Sequence, residues 1–445
     1  MSIARSTLPM PPSWGMAAAQ REPAGRAAAQ TAIWSRAMRT VGDRGSRQRQ
    51  AACRDGGNSA LRATVAFVYG GLADKIEGAV IPTDKANTFN YVTNPSASWP
   101  AITPWNSPLM LTPPGSWRRR SPGLRTAVVK PSEFVGLDAR ILQIDRGGRI
   151  SQGVVNVVTG FGADVGEPLA LHPGREEVAF TGGELSGQRV YECGQGLKQV
   201  NSRTRRQIGP TSCSTTRNST VLDEAISGIF AATGQTCIAG SRLLVQDSIH
   251  DAFMDRLLAL AKTAKMGDPM NLETQVGPVT TQPQFQKILG YIDVAKGEGA
   301  KCVLGGAKAM RPECGSGWFI EPTIFDGVNN KMRIAQEEVF GPVLSVIRFK
   351  DEDEAVAIAN DSLYGLAAGV WTQGIKRSIK MAERLQAGTV WVNTYRAISF
   401  TSPFGGYKRS GVGRENGQDA IWEYLQTKSV WISTADEVPN PFVMR

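Results

Sequence analysis

Only two histidines, His172 and His250, occur in 445 residues, which leaves little material for a histidine-built metal site or a proton relay. The six cysteines (Cys53, Cys193, Cys213, Cys237, Cys302 and Cys314) include no Cys-x-x-Cys pair. That is too sparse for a zinc module or a disulfide framework, and it fits a reducing cytoplasm. No run approaches the roughly 18 apolar residues that a membrane helix requires, so no membrane partner is expected. The composition, 41% apolar and 20% charged, is that of a globular chain rather than a disordered one. Its length suits two or three domains.

Lysine is missing from four stretches. Residues 1–66, 113–125, 139–150 and 199–218 hold 21 arginines, 4 acids and no lysine; they carry +17 in a chain whose net charge is +10, so the remainder is net −7. These stretches are rich in Ser, Pro, Gly and Ala and show neither helical nor strand periodicity. Three readings compete: basic arms that hold phosphate backbones, an acid-poor targeting segment at the N-terminus, or passages where the reading frame slipped and later recovered. The abrupt return of patterned sequence favours the last. No nucleic-acid-binding motif accompanies the charge, and no nucleic-acid partner is expected.

The patterned part alternates strands and helices. "TAVVK" (126–130), "GVVNVVTG" (153–160) and "EVAF" (177–180) are short, largely β-branched runs bounded by turn residues, as buried parallel strands are. "HDAFMDRLLALAKTA" places Phe253, Leu257, Leu260 and Ala264 on one helical face. "FQKILGYIDVAKGEGAKCVLGG" reads helix, turn, strand; "EEVFGPVLSVIRF", "DEDEAVAIAN" and "GTVWVN" read strand, helix, strand. The fold class is therefore α/β with doubly wound sheets, in two units.

Five motifs carry chemistry. Cys237, in "FAATGQTCIAGSR", follows an apolar helical stretch and a tight turn, where backbone N–H groups can face its sulfur and stabilise a thiolate or an oxyanion. Taken alone, a lone cysteine is more often an inert, buried one. Asn106, in "TPWNSPL", is a rigidly held amide able to donate to a developing oxyanion, or merely a turn residue. In "AFTGGELSG", Gly182, Gly183 and Gly187 permit a pyrophosphate to approach a helix N-terminus. Lys130 and Glu133, in "VVKPSE", stand beyond a strand end, where open α/β sheets bind ligands. Both can bond ribose hydroxyls, and a carboxylate there repels a 2′-phosphate, which favours NAD over NADP. "EEVFGPV" offers Glu337, Glu338 and Phe340 for a ribose and a nicotinamide wall, or else an acidic helix end with one core Phe.

In this order, together with "SPFGGYKRSGVGRENG" (402–417), these motifs resemble the aldehyde dehydrogenase superfamily from Tyr69 to about Val430. The resemblance implies a Rossmann-like cofactor-binding domain, a second α/β catalytic domain and a small oligomerisation hairpin. The expected divisions are 1–199 for the cofactor domain (1–67 unmatched, the hairpin at about 82–99), 200–410 for the catalytic domain, and 411–445 for a return segment and oligomerisation strand. It implies Cys237 as nucleophile, with the Asn106 amide and the Cys237 N–H as the oxyanion hole. Trp105, Lys130, Glu133, Gly182, Gly183, Glu338 and Phe340 would bind the cofactor, and Phe404 would line the aldehyde tunnel. The implied activity is oxidation of a small-molecule aldehyde to a carboxylic acid with NAD, in a cytoplasmic homodimer or homotetramer.

The chain also departs from that family. At the usual spacing before the cysteine, the family's general-base glutamate is replaced by Arg203 in "VNSRTRRQIGPTSC", and an arginine accepts no proton at neutral pH. Pro113 and Pro114 interrupt the helix expected after "PWN". The alternative expectation is thus an impaired relative that keeps cofactor binding but deacylates poorly. Arg396, in "NTYRAISFTSPFGG", reads as a solvent-facing loop arginine before any role with a polar or carboxylated substrate.

Overall fold

Five parallel strands make the first sheet: β3 (Ser98–Ile102), β4 (Thr126–Lys130), β5 (Val155–Val157), β6 (Ala179–Gly182) and β7 (Asn201–Thr204), in the order β5-β4-β3-β6-β7. The computed structural model describes residues 76–82, 87–95, 98–107, 126–135, 155–175, 177–194, 201–204, 210–213, 219–271, 273–433 and 442. The "TAVVK" run lies in the middle of this sheet, with Ala127 and Val129 buried against Ala101. Strand β6 hands over directly to helix α1 (Glu184–Cys193).

The chain passes to a second sheet between Thr204 and Pro210. That sheet has seven strands, adding β8 (Pro210–Cys213), β9 (Arg242–Gln246), β10 (Lys301–Leu304), β11 (Thr323–Asp326), β12 (Val343–Phe349), β14 (Ala367–Trp371) and β15 (Thr389–Val392). The order is β10-β11-β12-β9-β8-β14-β15, parallel except for the antiparallel edge strand β10. Strand β13 (Tyr364–Gly365) instead pairs with β16 (Tyr407–Lys408).

Helices α2 (Ser219–Phe230), α3 (His250–Ala261), α4 (Gln282–Gly297) and α5 (Glu352–Asn360) belong to this second unit. Successive side chains of β9 enter opposite layers: Leu243 and Val245 join α2 and α3, while Leu244 joins Phe285, Ile288 and Ile292 of α4. Capping fixes where the helices begin. The Thr281 hydroxyl accepts from the Gln284 N–H at 3.3 Å, and the Asp351 carboxylate accepts from the Glu354 N–H at 3.0 Å. Arg242, fully buried, donates to Asn330 and to the carbonyls of Ile358 and Ala359, anchoring the end of α5. Desolvation pushes its pKa down to about 10 while Asp361 opposes the shift, so it stays charged at neutral pH.

A third, antiparallel sheet joins β1 (Ala79–Ile81), β2 (Asn87–Pro95) and β17 (Leu425–Ser433), with Ser433 opposite Asn87 and Leu425 opposite Pro95. Among the described residues no helix is long and apolar enough to cross a membrane. The arginine-rich passages 1–66, 113–125 and 139–150, and the Pro113–Pro114 break, lie outside the described residues, as does most of 199–218 apart from β7 and β8.

Candidate active site

Helix α2 does not end in an ordinary cap. After Phe230 the backbone takes three successive left-handed residues, Ala232 (φ 54°), Thr233 (φ 56°) and Gly234 (φ 67°). Only the glycine adopts this without a steric penalty. A Cβ on Gly234 would stand 1.9 Å from the Gly341 carbonyl oxygen, so this turn passes hard against the segment before β12. The surroundings hold it: the Thr233 hydroxyl donates to the Gly277 carbonyl at 3.0 Å, and the Gln235 side-chain oxygen accepts from the Thr280 N–H at 2.9 Å. Cys237 follows in a turn that leads to β9, so no helix begins at the cysteine.

Cys237 is 8% exposed yet lines a cleft. From the first unit the lining is Pro104, Trp105, Asn106, Thr181, Gly182 and Gly183; from the second it is Cys237, Gln284, Lys287, Glu338 and Phe340. The Asn106 side-chain amide donates to the Gln235 carbonyl at 3.1 Å, which ties it to the cysteine's own loop across 129 residues of chain. Trp105 meets Phe340 edge to face, with ring centroids 5.5 Å apart.

The segment carrying Glu338 and Phe340 is set by α4. The Gln284 side chain donates to the Val339 and Phe340 carbonyls at 2.9 and 3.1 Å, and Phe340 sits at φ 56°. Of the adjacent acids, Glu337 is engaged by Arg333 and by the Tyr291 hydroxyl, whereas Glu338 lines the cleft.

The β6–α1 junction has an open glycine and a crowded one. A Cβ on Gly183 would meet nothing within 4 Å, while one on Gly182 would strike the Phe180 ring at 2.6 Å. Glu184, in the first turn of α1, is buried and turned aside: it accepts from the Tyr364 hydroxyl at 2.7 Å and from Arg409 at 3.0 Å. With its charge answered there, the free N–H groups of the helix end remain available to an anion.

Seven of the ten candidate residues thus share the cleft: Trp105, Asn106, Gly182, Gly183, Cys237, Glu338 and Phe340. Lys130, Glu133 and Phe404 are not among its lining. Lys130 ends β4 with its Nζ donating to the Pro131 carbonyl at 2.8 Å and lying 3.9 Å from the exposed Glu133 carboxylate. Burial lowers the Lys130 pKa, and Glu133 partly restores it. Phe404 packs in the same apolar cluster as Cys237. Arg203 falls on β7, opposite Thr181.

Arg396 corrects the sequence reading. It is half-buried rather than solvent-facing, and its guanidinium bonds the Ser227 carbonyl at 3.1 Å, the Ala231 carbonyl at 3.4 Å and the Thr236 hydroxyl at 2.9 Å. Sequence reasoning also passed over Gln284 and Lys287. Their signal was a polar pair three apart on α4, on a helix whose Phe285, Ile288 and Ile292 face the core.

The sequence matches the aldehyde dehydrogenase family over residues 46–430. It is 37% identical over 386 residues to a betaine aldehyde dehydrogenase of Bacillus subtilis, covering 85% of this chain and 78% of that protein. It is 41% identical over 386 residues to the (Z)-2-((N-methylformamido)methylene)-5-hydroxybutyrolactone dehydrogenase of Acinetobacter baylyi, covering 85% and 77%. Among solved structures, a point mutant of betaine aldehyde dehydrogenase from Staphylococcus aureus in complex with NAD+ superposes with a TM-score of 0.84 at 33% identity, covering 95% of this chain and 88% of that one. A putative aldehyde dehydrogenase from Burkholderia cenocepacia also gives 0.84, at 36% identity and coverages of 94% and 87%. With the match running through both parallel sheets and the cleft they share, the chain belongs to the aldehyde dehydrogenase family.

Proposed function

We propose that this cleft oxidises an aldehyde to a carboxylic acid with NAD, and that Cys237 is the nucleophile. The observation that carries the reading is the junction itself: a cysteine, an amide bonded to its loop and a glycine-opened helix N-terminus line one cleft. When bound, NAD supplies the acceptor for the hydride that leaves the aldehyde carbon.

The residues fit such a cofactor. Gly183 leaves room beside the N-terminus of α1 for a pyrophosphate. Glu338 and Lys287 offer an acceptor and a donor for a ribose, and Phe340, packed edge to face with Trp105, offers an aromatic wall. Lys130 and Glu133 at the end of β4 suit the adenosine ribose, and the Glu133 carboxylate disfavours the extra phosphate of NADP.

The chemistry follows from the side chains. The Cys237 sulfur adds to the carbonyl carbon, and the Asn106 amide with the Cys237 N–H donates to the resulting oxyanion. Collapse with loss of hydride leaves a thioester on Cys237, which water cleaves to the acid, returning the thiol. Phe404, which shares the apolar cluster of Cys237, is assigned to the substrate side. Nothing in the relatives favours the impaired form that Arg203 suggests.

The test is NADH formation from NAD and a short aliphatic aldehyde, with the first turnover and the steady state measured separately. The parent chain is expected to sustain steady turnover. Cys237→Ser is expected to abolish both phases, and Asn106→Ala to slow the first by about 100-fold. NADH formed by Cys237→Ser at the parent rate would refute the assignment, and a burst without turnover would select the impaired form.

The five-stranded sheet is, on this reading, the cofactor domain and the seven-stranded sheet the catalytic domain, with β1, β2 and β17 an oligomerisation element of a homodimer or homotetramer. Cys193, Cys237, Cys302 and Cys314 are free thiols, in keeping with a cytoplasmic protein.

A further inference from the structure

The nucleophile turn is built from residues that resist its shape. Ala232 and Thr233 both carry a Cβ in the left-handed region, where glycine is the natural choice, and they persist only because their surroundings impose the conformation. Most of the holding bonds come from the segment 277–280 and from Asn106. One set comes from the opposite side, from the loop that follows β15. Arg396, itself at φ 60°, sends one nitrogen to the carbonyls of Ser227 and Ala231 at the end of α2, and another to the Thr236 hydroxyl. A cation at a helix C-terminus answers the negative end of the helix dipole. Thr236 is the residue immediately before Cys237.

We infer that Arg396 is the positioning residue of the nucleophile loop: its guanidinium ties the end of α2 to Thr236 and sets a positive charge close to the Cys237 thiol. Three acceptors already engage this guanidinium, so its first task is to hold the loop rather than to grip a substrate. Burial lowers the Arg396 pKa below the usual guanidinium value, while Tyr395 and Cys237 act in the other direction, which marks the thiol as a charge neighbour. The ionisable groups that share the cleft with Cys237 are Glu338 from the segment before β12 and Lys287 from α4, and Tyr395, beside Arg396, shares its apolar cluster; the lining from the first sheet, Trp105, Asn106, Thr181, Gly182 and Gly183, carries no charge. Glu338 opposes a thiolate and Lys287 assists it. With Arg203 at the place of the family's glutamate, an electrostatic bias on the thiol takes on more of the activation.

The inference rests on Cys237 being the nucleophile, and the two fail separately. The measurement is alkylation of Cys237 by iodoacetamide in the full chain, followed peptide by peptide from mildly acidic to alkaline pH, with folding checked by circular dichroism. Arg396→Gln is expected to slow alkylation at neutral pH about tenfold and to move the midpoint of the profile upward, because an opposite charge is lost from beside the thiolate. Arg396→Lys, which keeps the charge, is expected to recover most of that loss. Thr236→Val keeps the arginine and removes one acceptor; it is expected to slow alkylation about threefold, and it remains decisive if Arg396→Gln does not fold. A parent-like rate and profile in Arg396→Gln, or in Thr236→Val where the glutamine variant does not fold, overturns the inference. So does Arg396→Lys behaving no better than the glutamine variant, or a loss confined to KM for anionic aldehydes. NADH formation surviving in Cys237→Ser would instead overturn the nucleophile assignment beneath it.

Discussion

Lys130 illustrates what a buried ammonium costs the fold. Its side chain is only 3% exposed, its stem passes over Gly166, and its ammonium has one carbonyl at 2.8 Å and a carboxylate no nearer than 3.9 Å. Desolvation outweighs the attraction of Glu133, so the folded-state pKa lies below 10.5. For a base this sign means that folding is penalised wherever the group is charged in both states, and the penalty fades only as pH rises through the folded pKa. At neutral pH the penalty is present in full. Lys130→Met keeps the stem and removes the charge. It is expected to leave Tm unchanged or to raise it by about 2 °C, while weakening NAD binding about tenfold. Thermal unfolding and a fluorescence titration with NAD check the two halves. A lower Tm with unchanged NAD affinity would make Lys130 a structural residue.

At the scale of elements, the cleft depends on two segments whose backbones meet at close range. The turn after α2 and the segment before β12 meet where Gly234 faces the Gly341 carbonyl, and each carries cleft residues, Cys237 on one and Glu338 and Phe340 on the other. Gly234→Ala forces 1.9 Å to become a van der Waals distance and adds a Cβ at φ 67°. The expected cost is about 2–4 kcal/mol of stability, with alkylation of Cys237 and NADH formation lost together. Gly183→Ala, in open space, should leave Tm within about 1 °C of the parent value and weaken NAD binding only. Chemical denaturation of both variants decides the matter, and equal stability for the two would remove the backbone contact from the account. The same elements show what the chain's pattern could and could not disclose. "TAVVK" coincides with β4 because a β-branched run between turn residues has few other uses, and the apolar face of α3 and the strand "GTVWVN" were legible for the same local reason. Cys237, Asn106 and the glycine pair were legible because short motifs carry their chemistry. The left-handed Ala232 and Thr233, the Arg396 bonds spanning 160 residues and more, and the Glu184–Arg409 pair linking the two units were not. Each is fixed by tertiary contact rather than by its neighbours in sequence.

At the scale of the whole molecule, the sheet of β1, β2 and β17 shows large apolar side chains at its surface. Adjacent strand residues point to opposite faces, yet Val80 and Ile81 are 69% and 44% exposed, and Trp431 and Ile432 are 54% and 49% exposed. Among the described residues both faces therefore carry exposed large apolar side chains, the kind of surface that marks a protein–protein contact. Strand β17, nine residues long, also has one edge unpaired among the described residues, which is the kind of edge that recruits another chain. The proposed homo-oligomer would place a second copy of the protein on this sheet. Trp431→Asp places a charge where an apolar contact is expected, far from Cys237 in sequence and outside the cleft lining. Light scattering on the parent chain is expected to give a multiple of the single-chain mass. The variant is expected to fall to one chain and to melt at a lower Tm that no longer depends on protein concentration, whereas the parent's Tm rises with concentration because its assembly and folding are linked. A parent chain that runs as a monomer at every concentration would refute assembly through this sheet.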